Sequence, residues 1–447
     1  MSHPLLTAPV GRALLRLAGP TTSVMALQIV VALVDIWIVA RLGTDSLAGI
    51  ALVFPVMALM VNSANGAMGG SVASALARAL GAGRRDDANA IVLHALVLAL
   101  AIGAAFTVLA WTVAPAFYRW LGGSGAALGQ ALTFSNLWYA GAVVVWLNCF
   151  LAALLRGAGD AGTPARIGIG ASLLYMPLAG GLAWRIGIAG PAIASLAVAT
   201  GAAILQARAV RRGRLGFVPK FRPRLGKVRL QRRLFGEILL VGALGSLSTV
   251  AASLTALLVT ALVGRFGTAA LAGYGIGVRL EFMVAPIAFG IGTGATTLVG
   301  IAVGAGDFAR AVRVAWLAGL AAFMSIGAIG WLVALAPETW SRLFTTEPDV
   351  LAASLAYVTR AAPAYCFFGL GLTVYFASQG ANHMAAPVLA AFLRLAVATA
   401  GGWFAAERLG LGLDGLFAAT GCSLALYGTL IAGALFVMPW RAKSRTI

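Results

Sequence analysis

The sequence has few charged residues and few residues of the kinds that hold metals or form disulfides. Charged side chains make up 10% of the 447 residues, whereas soluble domains have about 25%. The three Cys lie far apart in apolar runs without a CxxC pair, and the three His are equally scattered. The sequence therefore predicts no disulfide framework, no metal site and no cofactor. Because no Ser/His/Asp arrangement is evident either, we expect no enzyme.

Long apolar runs fill most of the chain, of which 61% is hydrophobic. We count twelve such runs, and several exceed the ~20 residues that a helix needs to cross a bilayer. The 56 glycines fit this reading, since small residues let membrane helices approach closely. The sequence predicts an all-α polytopic membrane protein with twelve transmembrane helices.

Positive charge predominates, with 32 Lys and Arg against 13 Asp and Glu. The basic residues gather between alternate apolar runs, as in the cytoplasmic loops of membrane proteins. This pattern favours contact with membrane lipids over nucleic-acid binding, and it puts both termini in the cytoplasm. The N-terminus lacks a small-residue cleavage site, so we expect its first helix to be retained. We expect a monomer in the bacterial cytoplasmic (inner) membrane.

A motif near the start of the chain returns in its second half. The segment Leu33–Gly49 (LVDIWIVARLGTDSLAG) resembles Leu257–Gly273 (LLVTALVGRFGTAALAG), about 224 residues later. Two further pairs of segments repeat at nearly the same separation. We therefore predict two six-helix bundles, at residues 1–207 and 236–447, joined by a basic cytoplasmic linker at 208–235. Repeats that enter the membrane in the same sense are related by an axis along the membrane normal and enclose a central site.

The repeat is broken by one acid, because Asp35 in the first copy aligns with Val259 in the second. A carboxylate within a membrane span costs at least ~2.5–3.5 kcal/mol and usually faces a cavity. An apolar setting favours its neutral form, so Asp35 could exchange a proton or bind a cation. The alternative is a structural carboxylate capped by neighbouring helices. We favour the functional interpretation because the other half lacks this acid.

A second group of ionisable residues lies in the eighth apolar run. Arg279 and Glu281 are two positions apart, so on a helix they point to different sides. Glu281 could be a second ionisable site or half of a structural ion pair. Arg394, in the eleventh run, could be the partner of either residue or could reach to the membrane interface.

Other residues could bend a helix or line a cavity. Pro20 lies about four turns before Asp35 and removes one backbone hydrogen bond. It could kink the first helix or sit harmlessly near its start. Polar residues within spans could line a cavity, although most such residues form interhelical hydrogen bonds. The cavity candidates are Gln28, Asn62, Asn65, Tyr139, Asn148 and Arg394.

Several of these segments together resemble the multidrug and toxic compound extrusion (MATE) family. They are the stretch from Pro20 to Asp35, VARLGTDSLAGIALVFP, SALARALGAGRRDDA, ALLRGAGDAGTP and AGYGIGVRLEFMVAPIAFGIG. The resemblance covers nearly the whole chain. It implies two six-helix bundles and ion-driven antiport of organic, often cationic compounds. It also implies that Asp35 is a coupling residue and that Pro20 lies in a bending first helix.

The chain departs from the sodium-linked, NorM-like branch of that family. That branch has acids in the seventh and tenth helices, where this chain has none beyond Glu237 at the mouth of the seventh. The pattern is more similar to the DinF-like, proton-coupled members. We therefore expect an exporter that is coupled to H⁺, or alternatively to Na⁺, through Asp35. The alternatives are a lipid-linked flippase of the related superfamily and a non-transporting membrane scaffold.

Overall fold

The computed structural model describes residues 4–219, 231–437 and 440, and all regular structure in them is helical. Much of the predicted linker, at residues 220–230, lies outside the described residues. Seventeen α-helices follow one another along the described chain. In the first half they are α1 (Pro4–Thr7), α2 (Val10–Ala40), α3 (Thr44–Asn62), α4 (Met68–Gly81), α5 (Arg85–Trp120), α6 (Gly125–Ala140), α7 (Ala142–Gly157), α8 (Gly162–Ile186) and α9 (Ala189–Arg211).

The second half repeats this order of long helices. Its helices are α10 (Arg232–Gly264), α11 (Thr268–Gly304), α12 (Phe308–Leu335), α13 (Pro337–Ser341), α14 (Pro348–Ala361), α15 (Tyr365–Ala381), α16 (Ala385–Ala396) and α17 (Gly412–Val437). Short π or 3₁₀ segments join α3 to α4 and α14 to α15, and π segments follow α16.

Eleven of the described helical stretches are long and apolar enough to cross a membrane. The pair α6 and α7 qualifies as a twelfth when it is counted as one span, bent by 50° at Gly141. These stretches confirm the predicted all-α membrane fold, and the predicted number of twelve spans is reached when the bent pair is counted as one span. Leu196 packs against this bend so closely that a Cβ at Gly141 would collide with its side chain.

The chain divides into two compact units that we call the N-terminal and the C-terminal unit. The N-terminal unit consists of the described residues of Ser23–Leu80 and Arg84–Gly242. The C-terminal unit consists of those before Ser23, the short Gly81–Gly83 segment and those from Ala243 onward. The division falls within α2 and α10, so each of these helices contributes to both units. The predicted boundaries of the two bundles and the linker, at residues 207 and 236, stay a prediction.

Close backbone approach holds each unit together. In the N-terminal unit, a Cβ at Gly103 of α5 would lie 2.5 Å from the Cα atom of Val143. In the C-terminal unit, a Cβ at Gly380 of α15 would lie 2.6 Å from the carbonyl oxygen of Thr296. Helices can approach this closely only where the side chain is missing. Much of the glycine content therefore serves packing within the units.

Candidate functional site

Asp35 and Tyr175 form a hydrogen-bonded pair within the N-terminal unit. The hydroxyl of Tyr175, on α8, donates to Oδ1 of Asp35, on α2, over 2.6 Å. Both side chains are half-buried. The distance is typical of a strong O–H···O⁻ hydrogen bond. The carboxylate is thus fixed on one side and retains accepting capacity on its other oxygen.

An apolar contact between α2 and α8 positions this pair. Ile38 lies one turn after Asp35 and is buried with Ala179 and Ala183, which follow Tyr175 on α8 by one and two turns. On a helix, residues four apart lie on the same face. The small alanines let α8 approach α2, and this approach brings the phenol within reach of the carboxylate.

Glu281 lies in the C-terminal unit and is paired with Arg394. Nη2 of Arg394, on α16, donates to Oε1 of Glu281, on α11, over 3.2 Å. The two side chains are 13% and 18% exposed, respectively. The hydroxyl of Tyr357 approaches Oε2 of Glu281 at 3.5 Å. The Arg394 guanidinium carbon also lies 5.5 Å from the centre of the Phe368 ring.

Arg279 does not join this pair. It is exposed, and its guanidinium carbon lies 5.3 Å above the ring of Phe344. The two-residue spacing on α11 places Arg279 and Glu281 on different faces, as the sequence predicts. Thus the structure brings Glu281 and Arg394 together and leaves Arg279 apart.

The remaining candidate residues lie in α2, around the end of α3, and among the packed helices of the N-terminal unit. Pro20 is half-buried inside α2, which continues through it, and Gln28 is exposed eight residues later. Asn62 is exposed at the end of α3. Asn65 lies in the π segment that follows and donates to the Val61 carbonyl oxygen over 3.3 Å.

Asn148 and Tyr139 lie between packed helices of the N-terminal unit. Oδ1 of Asn148, on α7, accepts a hydrogen bond from Nε2 of Gln206, on α9, over 2.9 Å. Tyr139 is 0% exposed and belongs to the core of the unit, where its ring packs edge-on against Trp138. The bond between Asn148 and Gln206 joins α7 to α9, and the Tyr139 side chain is fully buried, so it offers no surface to a ligand.

Two partner residues escaped the sequence analysis. Tyr175 and Gln206 each lie in an apolar run, and no motif singles them out. A tyrosine hydroxyl or an amide inside a span does signal a need for a partner. Which partner it takes depends on the packing of helices that are distant in sequence. Tyr175 and Asp35 are 140 residues apart.

The fold and the intramembrane carboxylate define a multi-pass membrane transporter built from two helical units. The MatE family profile matches residues 20–180 and 246–404, most of each half of the chain. The chain belongs to this family, the MATE family of transporters that the motifs resemble. Family membership also confirms that the protein is a transporter and not an enzyme.

Several known proteins are similar to this chain over most of their length. "Probable multidrug resistance protein NorM" of Deinococcus radiodurans is 28% identical, over 94% of each chain. The "FAD transporter" of Shewanella oneidensis is 25% identical over 84% of this chain and 83% of its own. The solved structure of a MOP superfamily transporter from Pyrococcus furiosus matches 97% of this chain and 96% of its own, with a TM-score of 0.89 at 23% identity. That last likeness supports the fold.

Proposed function

We propose that the protein is a secondary active multidrug exporter that exchanges protons for organic, often cationic compounds by alternating access. One observation carries the proposal. Asp35 is a half-buried carboxylate within a membrane span, fixed by Tyr175 at 2.6 Å. Its counterpart in the second repeat, Val259, is an apolar side chain that is 1% exposed. The two-fold repeat provides alternating access, and Asp35, which has no acidic counterpart in the second repeat, provides one coupling site.

In this mechanism, a proton and a cationic compound bind alternately at the Asp35 carboxylate, and this alternation couples their transport. When Asp35 is deprotonated, its carboxylate attracts a cationic compound that enters from the cytoplasmic side. A proton arriving from the outer side neutralises the carboxylate, which removes the attraction and promotes release. The Tyr175 hydroxyl can donate to either state of the carboxyl group, so it keeps Asp35 oriented throughout.

The names of the relatives support drug export without fixing the substrate. Several are described as probable multidrug resistance proteins, among them the one from Deinococcus radiodurans. We therefore extend to this chain the export of chemically varied small organic molecules. The Shewanella oneidensis relative is described as an FAD transporter, so the names of the relatives do not point to a single substrate.

We assign Glu281 a structural role and Asp35 the coupling role. Arg394 donates to the carboxylate of Glu281 over 3.2 Å and so already occupies it with a cation. A buried ion pair of this kind is costly to break, because the remaining partner is left charged and desolvated. Asp35 has no such cationic partner among the residues that the structure describes. Asp35 is therefore the carboxylate that remains available for coupling.

The coupling ion, the location and the orientation complete the proposal. H⁺ is the coupling ion, with Na⁺ as the alternative, and no other cofactor is required. The protein lies in the bacterial inner membrane as a monomer, with both termini in the cytoplasm and with lipids around its spans. The lipid-linked flippase and the non-transporting scaffold are the rival functions.

Efflux measurements in proteoliposomes with imposed gradients test the proposal. Wild-type protein should export a fluorescent organic cation when a proton gradient is imposed and should not respond to a sodium gradient alone. Asp35→Asn should abolish proton-driven efflux, while Asp45→Asn, which changes an exposed acid at the start of α3, should leave it intact. Undiminished efflux by a well-folded Asp35→Asn protein would refute the mechanism, and efflux driven only by sodium would refute the ion. Transfer of labelled lipid between leaflets, with no drug efflux, would favour the flippase.

A further inference from the structure

We propose that Arg279 and Phe344 form a binding site in the C-terminal unit for the anionic group of an amphipathic organic acid. The residues of this site differ from Asp35 and Tyr175, which form the proposed coupling site. The site adds organic anions and zwitterions to the compounds that the protein can bind. Its role in transport rests on the proposed function.

The first argument is the position of Arg279. It is the twelfth residue of α11, about 17 Å along the helix from its first residue, and α11 is one of the membrane-spanning stretches. The Arg279 side chain is exposed, and its guanidinium lies over Phe344, in the segment between α13 and α14. It therefore faces the open space beside that segment.

The second argument is the lack of a counter-charge. Among the residues that the structure describes, Arg279 makes no ion pair within 4.0 Å. Glu281 is engaged by Arg394 on another face of α11. On α13, Glu338 is engaged by Arg342 at 2.9 Å. Arg279 therefore presents its guanidinium N–H donors to a cavity without a neighbouring carboxylate to occupy them.

The third argument is the cavity itself, which has a volume of about 470 Å³. Pockets for small organic molecules usually measure ~300–1,000 Å³ and combine an apolar lining with a few polar groups. Here the lining is apolar except at Arg279 and Thr345. The lining residues are Ala272, Gly275, Ile276, Arg279, Phe344, Thr345 and Val350.

The lining chemistry selects the ligand class. A planar guanidinium matches the two oxygens of a carboxylate or phosphate. The Phe344 ring beneath it is a flat apolar surface. The Thr345 hydroxyl oxygen accepts the N–H of Glu347 over 3.1 Å, which leaves its O–H to donate to the ligand. An anionic head with an aromatic or aliphatic body satisfies all three features.

Two exposed acids, Glu347 just before α14 and Asp349 in its first turn, set a limit on the ligand's charge. They lie close in sequence to Thr345 and would repel a ligand with several negative charges. Glu347 contacts the lining through its backbone N–H, which donates to the Thr345 hydroxyl oxygen. We therefore expect a monoanion to bind better than a polyanion.

Equilibrium binding to the purified protein tests the site. The probe is dansylglycine, a fluorescent aromatic carboxylate, and the control ligand is its neutral methyl ester. Wild-type protein should bind the acid about tenfold more tightly than the ester, as expected for one charge-assisted contact. Arg279→Gln should abolish this preference, and Arg279→Lys should retain part of it. Equal binding of acid and ester by the wild type would overturn the proposal, as would an unchanged preference in Arg279→Gln.

Two further variants separate the pocket from general charge effects. A Cβ at Gly275 would meet no atom within 4 Å, so Gly275→Leu should fill the cavity and weaken both ligands without distorting α11. Arg408→Gln removes a cation that also lies over a ring, that of Trp403 at 5.8 Å, but outside the cavity lining. It should keep the tenfold preference. Loss of the preference in Arg408→Gln would show a diffuse charge effect and overturn the site.

Two further binding measurements distinguish this site from the coupling site and from a lipid-binding site. Asp35→Asn should bind dansylglycine as the wild type does, so a failure of coupling and a failure of this site give different results. Anionic phosphatidylglycerol in nanodiscs should not displace the probe from wild-type protein. Displacement would identify a lipid headgroup as the occupant and overturn the assignment to an exported acid.

Discussion

The hydroxyl of Tyr175 donates to Oδ1 of Asp35 at 2.6 Å and so joins α8 to α2 at the proposed coupling site. Tyr175→Phe removes this donor and leaves the carboxyl group of Asp35 without the contact that orients it. We therefore expect proton-driven efflux to fall by about tenfold, as for the loss of one charge-assisted hydrogen bond.

The initial rate of efflux in proteoliposomes measures this loss. Tyr118→Phe is the matched control, because it removes a buried hydroxyl elsewhere in the same unit. It should leave the rate unchanged. A Tyr175→Phe rate equal to that of the wild type would contradict the orienting role of Tyr175.

The pair of Glu281 and Arg394 should contribute strongly to stability. Either Glu281→Gln or Arg394→Met leaves one charge buried without its partner, which costs about 3–5 kcal/mol. The double variant should recover much of that loss, because no unpaired charge remains. Thermal unfolding in detergent measures the stability of the two single variants and of the double variant. The exposed pair of Arg342 and Glu338 is the control, and its loss should cost at most about 1 kcal/mol. Additive losses in the double variant would argue against direct pairing.

Gly103 should not tolerate even a methyl group. Gly103→Ala places a Cβ 2.5 Å from the Val143 Cα atom, and backbone cannot rotate away as a side chain can. Overpacking of this kind costs about 1–3 kcal/mol. Gly201→Ala on α9 is the control, since its Cβ would meet no atom within 4 Å. It should be neutral or slightly stabilising, because alanine favours helix over glycine. Equal thermal midpoints for the two variants would contradict the close approach of α5 and α7.

Pro20 tests whether α2 must bend during transport. Pro20→Ala supplies the missing backbone donor and stiffens the helix. We expect proton-driven efflux to fall severalfold while the folded protein remains stable. Pro115→Ala, at a half-buried proline inside α5, is the control and should keep normal efflux. Full efflux by Pro20→Ala would show that bending at this residue is dispensable.

The hydrogen bond between Asn148 and Gln206 should matter for packing and not for substrate choice. Its removal by Asn148→Ala should lower the unfolding free energy by about 0.6 kcal/mol or somewhat more, as for other interhelical bonds in membranes. Efflux of different dyes should fall in parallel or not at all. A selective loss of one dye would indicate that Asn148 contacts substrate after all.

The helical membrane fold could be predicted from the sequence because each span carries its own signal. A run of about 20 apolar residues must satisfy its backbone polar groups internally, and a helix does so without reference to the rest of the chain. The repeat added the number of helices per half, and the motifs added the family. The spans, the fold class and the family were therefore confirmed.

The individual contacts could not be predicted, because they join residues that are distant along the chain. The sequence singled out Asp35 as an acid without a counterpart, but it gave no sign of Tyr175. It named Glu281, Arg279 and Arg394 together and left their pairing open. It offered Tyr139 and Asn148 as cavity residues, whereas the structure places Tyr139 in a core and Asn148 against Gln206.

The sequence by itself determined that the protein is a helical membrane protein, that its two halves repeat, and that Asp35 has no acidic counterpart in the second half. These follow from local composition and from comparison of the chain with itself. Only the tertiary structure decided that Tyr175 holds Asp35, that Arg394 takes Glu281, and that Arg279 is left facing a cavity beside Phe344. The physical reason is that a side chain's partner depends on which helices pack closely, and small residues spread over the whole sequence set that packing.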